Sequence, residues 1–126
     1  EVVGVVAEGA PCYALSFEAG RVVPTNGVET LAEGLAVRQP SPIALEIIRN
    51  GADRIVRVSD AEILAAMETY VTETHNLAEG AGAAGLAALM QEREAMASRR
   101  IGVVLSGGNV SREQLARVLA GTGADG

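Results

Sequence analysis

Four consecutive residues, Ser106, Gly107, Gly108 and Asn109, join an apolar run at residues 101–105 to a helical pattern that starts at Ser111. A strand, a tight glycine turn and a helix start together let backbone approach a flat or anionic ligand closely. A serine at the end of a buried strand can offer its hydroxyl to a heteroaromatic nitrogen. The same residues also read as a plain strand-to-helix turn in which Asn109 or Ser111 caps the helix. A second candidate is Glu79, which heads a run of glycine and alanine from Gly80 to Gly85. It reads either as a site acid with small residues clearing space around it, or as an acid favoured by the dipole of a closely packed helix. A third is Gly34, within helix-like residues 29–35. It marks a backbone contact with a ligand or a local break.

Other reactive side chains are read structurally. His75 stands alone at a helix end, as a cap or surface group rather than a catalytic base. Cys12 reads as a small core residue. Glu62, Glu68, Glu73, Glu92 and Glu94 read as solvated helix faces. The chain has no lysine, so no side chain can supply an amine for covalent catalysis. One histidine and one cysteine argue against a transition-metal centre. A single cysteine also excludes an internal disulfide, which fits a reducing cytoplasm.

Composition narrows the classes further. Net charge is −6, from ten arginines and sixteen acids, and only Arg99 and Arg100 are adjacent. With three aromatic residues there are few stacking platforms, so nucleic-acid binding is a poor reading. At 48% hydrophobic residues the chain can build a core, and its 126 residues suit one domain. No apolar run reaches the length of a bilayer span, and no signal peptide is visible before Val2.

Strands are expected at residues 1–7, 54–58 and 101–105, where short β-branched runs end at turn residues. Helices are expected at residues 12–19, stopped by Gly20, and from Pro42 to about Asn50 behind a Ser41 cap, with Ile43, Ile47 and Ile48 on one face. A capped start at Ser59 opens a periodic segment to about Thr74. Residues 78–97 and 111–119 complete the helices. This alternation points to an α/β fold with three layers, a mostly parallel sheet and helices on both faces. In such sheets ligands bind beyond the carboxyl ends of strands, where Ser106 stands.

The ordered string GVVAEGAPCYALSFEAGR, ETLAEGLAV, IVRVSDAEI, HNLAEGAGAAGLAAL and VVLSGGN resembles the C-terminal portion of the serine/threonine dehydratases. These are pyridoxal phosphate enzymes of the tryptophan-synthase β-type fold, fold type II, and serine racemase is a relative. The resemblance implies that Ser106 hydrogen-bonds the pyridine nitrogen of the cofactor, that Gly34 brings backbone to its ring, that Glu79 lies near the nitrogen edge and that Gly107 lines the same wall. It implies an ammonia-lyase that β-eliminates the hydroxyl of L-threonine or L-serine to give a 2-oxo acid and ammonia. On the same scaffold, serine racemase or another hydroxy-amino-acid dehydratase is the first alternative. A non-catalytic α/β binding module is the second.

The resemblance further implies a division of the protein. Residues 1–120 form the C-terminal part of the larger, catalytic domain, and residues 121–126 form a flexible tail. The Schiff-base lysine and the phosphate loop are expected upstream or on a second chain, so this chain alone is expected to be inactive. Many relatives hold a divalent cation near the segment matching residues 6–12, but Val6 and Cys12 offer no hard oxygen ligand, so no metal is expected. A homo-oligomer in the cytoplasm, without membrane or nucleic-acid partners, completes the expectation.

Overall fold

The computed structural model describes residues 1–121; the expected tail beyond Gly121 lies outside the described residues. Strand β1 (Val3–Ala7) and strand β2 (Arg54–Val58) pair in parallel, from Val3 opposite Arg54 to Ala7 opposite Val58. Helices α1 (Cys12–Ala19) and α2 (Pro42–Gly51) lie between them in sequence. Helices α3 (Asp60–Thr69), α4 (Gly80–Gln91) and α5 (Arg112–Ala120) follow. The architecture is α/β with a parallel sheet, as the alternation of patterns predicted.

Local chemistry explains most boundaries. Gly20 ends α1 at a left-handed φ of 68°. Ser41 accepts a hydrogen bond from Ala44 N and Pro42 takes the first helical position of α2. At α3, Ser59 and Glu62 form a reciprocal capping box. The periodic segment continues past α3 as one turn of π-helix, Tyr70–Thr74, and stops at His75 in left-handed conformation. Ser111 caps α5 by accepting from Gln114 N, which settles the choice between Asn109 and Ser111.

The core lies between α3, α4 and the sheet. Val58, Ile63, Ala66, Met67, Ala83 and Ala87 are all buried there. Alanine and glycine on α4 let α3 and the strands come close, so a helix with poor intrinsic propensity is stabilised by packing.

Two expectations are corrected. Residues 101–105 are not a strand. A ladder needs a neighbour, and a gap of about 610 Å³, lined from both sides, separates this run from β1. Helix α4 ends at Gln91 and not at residue 97. Backbone geometry turns at Glu92, whose carboxylate is held bidentately by Arg54 of β2 at 2.5 and 2.8 Å. On α2, Ile43 is 72% and Ile47 67% exposed while Leu45 is buried.

Candidate functional site

Helix α4 begins beside the turn at residues 106–109, and the two are joined through backbone. Glu79 N donates to Gly107 O at 3.0 Å. A Cβ on Gly82, one turn further along α4, would overlap that same carbonyl oxygen and lie 3.1 Å from Gly107 N. The glycine-rich start of α4 is therefore required by the serine-glycine turn, and neither segment could approach so closely with larger residues. A Cβ on Gly107 would in turn overlap the carboxylate of Glu79, so the two predicted residues are in direct contact.

The third predicted segment arrives from elsewhere in the chain. Residues Glu33–Leu35 form a single turn of 3-10 helix, and a Cβ on Gly34 would meet Ala81 Cβ at 2.8 Å. Leu31 and Ala32 pack on Gly80 with similarly little room. Together they border a cleft of about 370 Å³ lined by Glu33, Gly34, Glu79, Ala81, Asn109 and Arg117, among others.

Gly34, Glu79 and Gly107, distant in sequence, are thus gathered at the N-terminal end of α4. Glu79 is half-buried and Gly34 is exposed at the mouth. Ser106 is exposed and stands one residue before the contact, rather than among the residues lining the cleft. His75 lies outside it and its ring nitrogen Nδ1 is 3.3 Å from Val71 O, as suits a helix-end residue. Cys12 is buried, and burial pushes its thiol pKa up, against hydrogen bonds from backbone that lower it. That is the environment of an inert core thiol.

Glu62 and Glu92, read as solvated, are engaged instead. Burial alone would raise the pKa of Glu62, but hydrogen bonds from Ser59 N, Ser59 Oγ and Gln91 Nε2 outweigh it and hold the carboxyl below its ordinary range. Glu92 is held low chiefly by its hydrogen bonds from Arg54.

The residue patterns singled out neither Ala81, which faces Gly34, nor Asp60. Asp60 looks like an ordinary first-turn acid, yet its carboxylate reaches across to Thr30 and Leu31. Only the fold brings these groups together, so no local signal could have found them.

Residues 1–107 match the family described as "Pyridoxal-phosphate dependent enzyme", and the chain belongs to that family. It is 32% identical to L-threonine ammonia-lyase of Thermotoga maritima over 119 residues, which cover 94% of this chain and 29% of that protein. Its structure is similar to the processed form of threonine deaminase isoform 2 from Solanum lycopersicum, with a TM-score of 0.85 and 27% identity over 95% of this chain and 34% of the other. It is also similar to maize serine racemase, with a TM-score of 0.83 and 26% identity over 95% and 38% of the two chains. The chain thus spans about three tenths of the length of the curated relative named above.

Proposed function

We propose that this chain is the C-terminal part of the catalytic domain of a pyridoxal phosphate-dependent ammonia-lyase that acts on L-threonine or L-serine. The observation that carries the reading is the cradle in which Gly34, Glu79 and Gly107 converge at the start of α4, in a member of this family. The residues fit the group. Gly34 and Gly107 let their segments close on Ala81 and Glu79, larger residues there would drive them apart, and Gly34, Glu79 and Ala81 line the open cleft beside them, with Ser106 next to Gly107 in the chain.

In this reading the backbone at Gly34 and Gly107 approaches the cofactor ring, and the Ser106 hydroxyl donates to its nitrogen. Glu79 sits near that edge, fixed by the hydrogen bond from its own N–H to Gly107 O. When bound, pyridoxal phosphate supplies the conjugated system that takes up the electron pair released at the substrate α-carbon. A neutral hydroxyl does not force a proton onto the ring nitrogen, unlike a carboxylate. That tempers electron withdrawal and suits β-elimination, in which the departing hydroxyl carries the electrons away. The catalytic lysine that this reading requires must lie on polypeptide beyond these 126 residues, since the chain has no lysine. Racemisation on the same scaffold is a second reading, favoured by the likeness to maize serine racemase.

The test uses the full-length protein that carries this chain. Pyridoxal phosphate affinity is measured by absorbance titration, and 2-oxo acid release is followed with L-threonine, L-serine and L-threo-3-hydroxyaspartate. Ser106→Ala should weaken cofactor binding about tenfold and slow elimination, because the ring nitrogen would lose its donor. Unchanged affinity and turnover would remove Ser106 from the site. Inversion of serine with little 2-oxo acid would replace the lyase by a racemase.

A further inference from the structure

We infer that Asp60 is a positioning residue for this cradle: its carboxylate clamps the segment that carries Gly34, so that backbone is presented to the cofactor at a set distance from α4. The inference rests on the proposed reading of the cleft.

Asp60 is the first residue of α3. One of its oxygens accepts from Thr30 Oγ1 at 2.6 Å, and the other accepts from Leu31 N at 2.8 Å. Thr30 Oγ1 also accepts from Ala32 N at 3.1 Å, which ties the next peptide into the same clamp. From α5, Gln114 Nε2 donates to Leu31 O at 3.1 Å. Both polar groups of Leu31's backbone are therefore held by side chains of two different helices. Directly beyond them the chain forms the 3-10 turn Glu33–Leu35, and Gly34 meets Ala81.

The clamp does work that the helix itself does not need. An acid in the first turn ordinarily serves its own helix dipole. Here Ser59 and Glu62 already complete the cap of α3, and both Asp60 oxygens point across to another segment instead. Residues 30–32 belong to no strand, so these side-chain bonds replace the ladder that would otherwise hold such a segment in place. A carboxylate is an acceptor at both oxygens and matches two donors. An amide at this position would replace the charged acceptor by a neutral one and, if it keeps the bond from Leu31 N–H, turn a donor toward the threonine hydroxyl, which must rotate to accept it.

The experiment compares Asp60→Asn, Thr30→Val and Ser59→Ala in the full-length protein. It reads pyridoxal phosphate affinity, the absorption spectrum of the bound cofactor, and the Tm of the cofactor-free protein. Ser59→Ala weakens the same end of α3 without touching residues 30–32. The expected result is a rise of about tenfold in cofactor Kd for Asp60→Asn with a displaced absorption maximum. Ser59→Ala should lower Tm while leaving affinity and spectrum unchanged. Equal effects of Asp60→Asn and Ser59→Ala on affinity would overturn the inference, since they would reflect helix stability alone. If Asp60→Asn does not fold, Thr30→Val decides: a weaker cofactor complex supports the clamp, and wild-type affinity overturns it. Wild-type protein that binds no pyridoxal phosphate overturns the proposed function and this inference together. Normal binding by wild type and both clamp variants overturns the inference alone.

Discussion

Replacing Gly82 by alanine should damage the protein, whereas the same change at Gly85, three residues along α4, should not. Both glycines lie inside the helix, where alanine ordinarily gains about 1 kcal/mol over glycine. At Gly82 the new methyl would run into the carbonyl oxygen of Gly107, with Gly107 N at 3.1 Å and Gly107 C at 3.4 Å. These are backbone atoms and cannot rotate aside, so the turn at residues 106–109 must move away from α4. Forced displacement of packed groups costs roughly 1–3 kcal/mol. Separating the segments also breaks the hydrogen bond from Glu79 N to Gly107 O, worth about 1 kcal/mol. Set against the gain in helix propensity, the net loss is roughly 1–3 kcal/mol. At Gly85 the nearest atom is Val103 Cγ1 at 3.0 Å, the end of a side chain, and the next is Val104 O at 3.8 Å. A shift of Val103 by a few tenths of an ångström, with no backbone atom in the way, would make room, leaving a change between neutral and about 1 kcal/mol of stabilisation. Thermal unfolding of the two full-length variants should place Gly85→Ala at or above wild type and Gly82→Ala clearly below. Cofactor affinity should fall only for Gly82→Ala. If Gly82→Ala unfolds no earlier than Gly85→Ala, the contact between α4 and the turn is not as tight as argued.

Two further expectations concern stability. The folded pKa of Glu62 is depressed, so its contribution is complete above the ordinary glutamate value of about 4.3 and disappears as pH falls through the lower folded value. The stability deficit of Glu62→Gln should therefore be largest near neutrality and shrink below about pH 4, measured by denaturant unfolding at pH 7 and 3.5; a deficit independent of pH would refute this. Ile63 is completely buried between α3 and its neighbours, so Ile63→Ala should cost about 2–5 kcal/mol in the same assay. A loss below about 1 kcal/mol would mean that the site collapses around the smaller side chain.

Local sequence determined the helix starts, because capping is short-range chemistry. Ser41, Ser59 and Ser111 each accept from a backbone N–H three residues on, and those partners travel with the motif wherever the helix goes. The two β-branched runs that became β1 and β2 were legible for the same reason: alternation and burial are local averages. The string of glycine motifs also carried the family, and with it the expectation that Gly34, Glu79 and Gly107 share a site.

What decided the rest was contact between distant segments. Residues 101–105 have strand composition, but a strand exists only when a second chain segment meets its hydrogen-bonding edge, and β1 lies across a gap. Helix α4 stops at Gln91, where Glu92 turns toward an arginine on β2. The glycines of α4 looked like a cost in helix propensity. Only the packed structure shows that Gly82 admits the carbonyl of Gly107, and that Asp60 secures the loop bearing Gly34. Caps and periodicity act over a turn or two of chain and are written in neighbouring residues. Close approach depends on where two remote backbones come to rest, and tertiary packing alone decides that.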